Sequence, residues 1–243
     1  MMKIVSEIKR QIKGYLLKKE AKGLPVSNQR GYSKVFVIGF NKTGTTTLYN
    51  TLKGLQFKMG DQRVAEVLTY FMYKNNDFTE LEHYCITAEA FQDVPFSFPQ
   101  RFKKFHKLYP DAKFILTIRD SSEQWYNSLV NFHRGRFQKK GNELPTIKDY
   151  MRSNYVFPGS MIPTFKNIFN YPEIPLFHKE HYINVYEKHI DDVKVFFKDK
   201  QDKLLIINVS KSGERKRLLE FLKVKPSRFL SSDFSRFKKT KRT

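Results

Sequence analysis

The feature that most constrains this chain is a short apolar run that ends in a glycine-flanked, hydroxyl-rich loop. Lys34-Val-Phe-Val-Ile-Gly39 has no polar residue between its first and last positions and reads as a strand buried on both faces. Phe40-Asn41-Lys42-Thr43-Gly44 follows, and Thr45 to Leu55 then sets Leu48, Leu52 and Leu55 on one helical face. Strand, loop and helix in that order aim backbone N–H groups and the positive end of a helix dipole at one point. Phosphate is the natural occupant of such a point.

Two more apolar runs repeat the strand pattern, at Lys113 to Ile118 and at Leu204 to Asn208. Around the three runs the spacing predicts helices over 61–75, Phe98 to Leu108, Ser121 to Phe132, Lys179 to Phe197 and Gly213 to Leu222. Asp120 or Ser121 is the candidate N-cap of the third of these. Residues 135–178 are punctuated by Pro and Gly, with helical pieces expected near 146–153 and 160–169. Continuous apolar strands alternating with helices predict an α/β fold. It would be a single domain with a central parallel sheet flanked by helices, of the P-loop nucleotide-binding type. The predicted organisation is a basic amphipathic lead over 1–33, the α/β domain over 34–230 and a basic tail over 231–243.

Charge bears on partners. The net charge of +21 is uneven. Residues 1–34 hold nine basic and two acidic residues, and residues 211–243 hold twelve basic and three acidic. Residues 35–210 carry a net of only +5, which argues against a specific nucleic-acid binder in the body of the chain. The lead segment repeats Ile4, Ile8, Ile12 and Leu16 at helical spacing, with lysines opposite, and should stop near Gly23-Leu24-Pro25. It suits docking on the domain or peripheral contact with an anionic membrane surface. The longest charge-free stretch, Ser153 to Phe165, is too short for a helix that needs about 20 residues to cross a bilayer. The single cysteine, Cys85, excludes an internal disulfide. No apolar signal core follows the N-terminus, so a reducing, cytoplasmic location is expected, with membrane-peripheral contact left open.

The loop itself separates two chemistries. Gly39 and Gly44 have the spacing of the nucleoside-triphosphate loop G-x-x-x-x-G-K-[ST], but Thr45 follows Gly44 where that loop has lysine. The lysine sits inside the loop instead, at Lys42. Such a loop can hold a phosphate but lacks the lysine that reaches a β,γ-phosphate pair. The hydroxyls of Thr43, Thr45, Thr46 and Thr47 are further candidate donors.

Phe40-Asn-Lys-Thr-Gly-Thr-Thr-Thr-Leu48 resembles the 5′-phosphosulfate loop of the sulfotransferases that use 3′-phosphoadenosine 5′-phosphosulfate. Asn41 stands where that family often has proline. Tyr109-Pro-Asp-Ala-Lys-Phe-Ile-Leu-Thr-Ile-Arg-Asp120, followed by Trp125-Tyr-Asn-Ser128, is similar to the family's strand, arginine and helix for the 3′-phosphate. Asp202 to Asn208 with Leu218 to Leu222 matches its last strand and helix. The resemblance spans about residues 34 to 224. It implies direct in-line sulfuryl transfer to an acceptor hydroxyl or amine, with that donor as cosubstrate and no metal.

Residue by residue, the resemblance implies that Asn41 to Thr47 hold the 5′-phosphosulfate and that Lys42 is catalytic. Arg119 and Ser128 would hold the 3′-phosphate, with Asn127 as the fallback for Ser128, because the usual offset from the arginine falls one residue earlier. Asp93, in Asp93-Val94-Pro95, occupies the slot of the family's general base, and burial there should raise its pKa. The acceptor, whether a small molecule, carbohydrate or lipid, and the oligomeric state are not legible. His133, Arg134 and Arg136 are candidates for the acceptor cleft, and Arg236, Lys238 and Lys239 for a weak donor-closing element. His178, His181 and His189 read as surface helix residues rather than a metal set, His106 and Lys107 as helix surface, and Trp125 and Tyr126 as core. Two other classes stay open on the residues alone: a kinase-like phosphoryl transferase, and a non-catalytic polyanion- or membrane-binding protein on the same scaffold.

Overall fold

The computed structural model describes residues 31–224, together with Glu7 and Phe234. Apart from Glu7, residues 31–33 and Phe234, the amphipathic lead and the basic tail, with the candidates Arg236, Lys238 and Lys239, lie outside the described residues. The elements run β1 (Val35–Val37), α1 (Thr45–Gly54), α2 (Gln62–Asn75), α3 (Thr79–Ile86), β2 (Ala90–Phe91), α4 (Arg101–Leu108) and β3 (Lys113–Thr117). They continue α5 (Ser122–Arg136), α6 (Ile147–Arg152), α7 (Ile162–Phe169), α8 (Lys179–Phe196), a 3₁₀ turn at Gln201–Lys203, β4 (Leu204–Ile207) and α9 (Glu214–Phe221). The strands form one parallel sheet in the order β2-β1-β3-β4.

The protein is therefore α/β with a parallel sheet covered on both faces. Alternation along the strands divides the core. Phe36, Phe114 and Leu116 face α2, α4 and the end of α8, where Phe102, Phe105, Val193 and Phe197 are buried with them. Val35, Val37, Ile115, Leu205 and Ile207 face the other way, onto Leu48 and Leu52 of α1 and Leu218 of α9. Each fully buried side chain of this size contributes roughly 1.5–3 kcal/mol. A third cluster, under the α5–α8 side, joins Phe40, Trp125, Leu129, Tyr182 and Tyr186.

The three apolar runs form the adjacent strands β1, β3 and β4. The fourth strand, β2, is two residues long and pairs Ala90 with Val35. Too short for any periodic signal, it was not expected from the sequence, and neither was α3. Helix α5 runs four residues beyond Phe132. Ser121 is its cap, accepting from Gln124 N at 3.1 Å. No helix among the described residues is long and apolar enough to cross a membrane.

Candidate active site

From β1 the chain passes to β2 on one side, then returns to β3 on the other. Ligands of open parallel sheets bind at the carboxyl ends of strands where the order reverses in this way. Here those ends carry Phe40 to Gly44 after β1, Asp93 after β2 and Arg119 after β3.

Close packing fixes the first loop. A Cβ on Gly39 would overlap Thr117 Oγ1 and the Thr117 backbone. Thr43 is fully buried, and its hydroxyl lies 2.5 Å from Phe40 O and 2.6 Å from Thr117 Oγ1. That hydroxyl serves the fold, so it does not add the ligand donor that a threonine-rich loop suggests. Gly44 has φ of 99°, and a side chain there would run into Val209. Lys42 also has positive φ, 68°, a conformation that costs a non-glycine residue of order 1 kcal/mol or more.

The first helical hydrogen bond of α1 runs from Leu48 N to Gly44 O at 3.1 Å. The amides of Thr45, Thr46 and Thr47 precede it and have no carbonyl behind them within the helix. They form the positive end of the α1 dipole. Thr45 is buried, Thr47 half-buried and Thr46 exposed.

Arg119 is bound into this loop. Its Nε donates to Lys42 O at 2.6 Å, and its backbone N donates to Tyr186 Oη at 3.1 Å. Among the described residues its two terminal nitrogens have no hydrogen-bond partner, so the planar fork is available to an oxyanion. Trp125 is buried, stacked on Tyr186 at 4.4 Å, and donates from Nε1 to Asn41 O at 3.0 Å. Ser128 is half-buried, and its hydroxyl has no partner among the described residues; Asn127 is exposed.

Asp93 is partly enclosed, with φ of 56°, and accepts from Val94 N at 2.9 Å. Burial pushes its carboxyl above the ordinary carboxylate range, against the pull of that N–H and of the Lys42 charge. Lys42 Nζ lies 3.8 Å from the centroid of the Phe132 ring. The charge of the loop lysine is also felt at the Asp93 carboxyl.

Three expectations need correction. His133 is buried, 2.8 Å from Tyr150 Oη, and burial holds its pKa at about 3, so it is a core residue rather than part of an acceptor cleft. His189 is buried as well, with Nε2 2.8 Å from Ile38 O, because its position on α8 turns inward beneath β1. His106 is half-buried, packed edge-on against Phe114, Phe196 and Phe197. His178 is exposed and caps α8, His181 is half-buried, and Lys107 is exposed. No set of three or more His, Cys, Asp or Glu placed to hold a metal is found among the described residues. The Arg134 side chain is half-buried and makes no hydrogen bond or ion pair among the described residues. Arg136 stacks at 3.7 Å on Tyr155 and lies 4.9 Å from the Phe132 ring. Phe132, Tyr155 and Glu66 were not singled out from sequence; a usable signal was the i, i+4, i+8 spacing of Ser128, Phe132 and Arg136 on one helix.

A glycine-flanked loop after the first strand of a parallel sheet, opening onto a helix N-terminus, is the arrangement of an α/β protein of the P-loop type. Within that class the chain is placed by sequence: residues 34–241 match the sulfotransferase domain, and the protein belongs to that family. No curated protein matches it.

Proposed function

We propose that the protein transfers a sulfuryl group from 3′-phosphoadenosine 5′-phosphosulfate to an acceptor hydroxyl or amine. The observation that carries this reading is the join between Arg119 and Lys42 O, at 2.6 Å. It sets a guanidinium with an open fork beside a loop whose helix amides also point outward, giving two anion sites in one crevice. A donor with phosphate at both the 5′ and 3′ positions needs two such sites; ATP has no 3′-phosphate and needs a lysine after Gly44.

In this reading the amides of Thr43 to Thr47 hold the 5′-phosphate, while Arg119 and Ser128 hold the 3′-phosphate. Asp93 accepts the acceptor's proton as the new bond to sulfur forms. Lys42 neutralises the charge left on the phosphate oxygen as the old sulfur–oxygen bond breaks. The elevated pKa of Asp93 suits it to that role, because a base nearer neutrality pulls a proton more strongly. Positioning and charge stabilisation carry most of the rate, and no covalent enzyme intermediate is needed.

Calorimetric titration with 3′-phosphoadenosine 5′-phosphate tests the donor. Saturable one-site binding is expected, and none with folded protein would sink the reading. Lys42→Ala should abolish turnover while leaving most of the donor affinity. A panel of sugars, lipids, phenols and peptides, assayed with labelled donor, identifies the acceptor.

A further inference from the structure

On the far side of Lys42 from the loop, the last turns of α5 form a surface that the donor roles do not use. Phe132 is 38% exposed and Tyr155 42% exposed, and one guanidinium lies between them. Arg136 Cζ is 3.7 Å from the Tyr155 ring centroid and 4.9 Å from that of Phe132. The Phe132 ring is the one that carries Lys42 Nζ. Lys42 and Arg136 thus share one aromatic platform, with the lysine toward the loop and the arginine toward the open cleft.

The polar partners of Arg136 are weak. Its Nη1 donates to Met161 Sδ at 3.6 Å, and a thioether is a poor acceptor. The nearest carboxylate partner of the platform, Glu66, accepts from Tyr155 Oη at 2.6 Å instead. Among the described residues no carboxylate lies within ion-pairing distance of Arg136. Stacking on Tyr155 holds the plane of the guanidinium, which also meets the Tyr155 hydroxyl and feels the Glu66 charge, but no carboxylate among the described residues pairs with it directly. A stacked arginine without an ion-paired carboxylate can still bind a planar or tetrahedral oxyanion with its remaining donors.

We infer that Arg136 anchors an anionic group on the acceptor, a carboxylate, phosphate ester or sulfate ester, while Phe132 and Tyr155 hold the acceptor's apolar face. This rests on the transfer reading above and narrows its acceptor to acidic compounds. Arg136 is a specificity residue, distinct from the donor site around Arg119.

The test uses calorimetry on the full chain saturated with 3′-phosphoadenosine 5′-phosphate. The probes are 4-nitrobenzoate, 4-nitrophenyl phosphate and 4-nitrophenyl sulfate, with neutral 4-nitrobenzyl alcohol as reference. At least one anionic probe should bind tenfold or more tightly than the alcohol, and which one does so identifies the anion. Arg136→Met should erase that preference while the nucleotide affinity stays within twofold. Arg136→Lys, which keeps the charge but not the fork, should retain only part of it. The inference is overturned if the wild type prefers no anionic probe, if the preference survives Arg136→Met, or if that variant loses nucleotide affinity. Should the nucleotide itself fail to bind, the same titrations without it still decide whether Arg136 selects anions, so the two readings fail separately.

Discussion

Trp125 Nε1 donates to Asn41 O at 3.0 Å, and this bond fixes which face of α5 looks at the loop. Three residues on is Ser128, and four beyond that is Phe132, whose ring carries Lys42 Nζ. Ser128 therefore lies between two side chains that both touch the loop. Asn127 is turned about 100° away and is exposed. Hydrogen bonds to charged groups contribute about 1.5–3 kcal/mol. Ser128→Ala should lower affinity for 3′-phosphoadenosine 5′-phosphate about tenfold, and Asn127→Ala should leave it within twofold. Calorimetry giving the reverse order would transfer the role to Asn127.

Arg119 has two jobs in this geometry, holding Lys42 O and offering its fork. Lysine keeps the charge but can neither reach in plane with Nε nor bind bidentately. Arg119→Ala should weaken nucleotide binding about 100-fold, and Arg119→Lys should recover little of that loss. Titration showing near-normal affinity in Arg119→Lys would mean that charge alone suffices and the loop contact is incidental.

The sequence made the β1 loop, the three apolar strands and the order of the long helices legible, because each rests on a run with a clear period. Of the candidate site, the sequence singled out Lys42 and Arg119, and the fold joins them through the bond from Arg119 Nε to Lys42 O. What escaped depends on contacts made across the fold. Thr43 looked like a ligand donor, yet its hydroxyl is taken up by Thr117, 74 residues later. His133 and His189 have polar neighbours in sequence but face inward on their helices. Tyr155 lies in an irregular stretch, where no period says which way a side chain points.

The Thr43–Thr117 pair locks the loop to β3, so its loss should appear as stability. Replacing Thr43 strands the Thr117 hydroxyl and takes a donor from Phe40 O, at about 1–3 kcal/mol, whereas replacing Thr117 leaves Thr43 its bond to Phe40 O. Thr43→Val should destabilise by that order in urea unfolding, and Thr117→Val by less. The double variant should be less destabilised than the two effects combined, because the stranded group is gone. Additive losses would show that the 2.6 Å contact carries no coupling.

In the proposed reaction Asp93 sets the acid side of the rate profile. Its carboxyl works when ionised, and burial raises its pKa, so kcat/KM should fall as pH drops through a value above the ordinary carboxylate range. Asp93→Asn should reduce turnover 10²–10⁴-fold with nucleotide affinity retained. A full rate in that variant, with the acid limb unmoved, would remove Asp93 from proton transfer.

Two buried histidines predict where the fold itself gives way to acid. Burial depresses His133 to about 3 and His189 to about 4. An unfolded histidine titrates near 6.5, so below that pH the unfolded chain takes up protons that the native state refuses. Stability from these groups is complete above about 6.5 and is lost as pH falls toward the folded values. At pH 5 each histidine should cost about 2 kcal/mol relative to neutral pH. His133 also lies 2.8 Å from Tyr150 Oη, so His133→Gln keeps a polar partner while removing the titration. Urea unfolding between pH 7 and pH 5 should show a shallower loss for His133→Gln than for wild type. Equal slopes would mean that His133 is already protonated in the native state, contrary to its burial among Tyr150, Phe132 and Phe177.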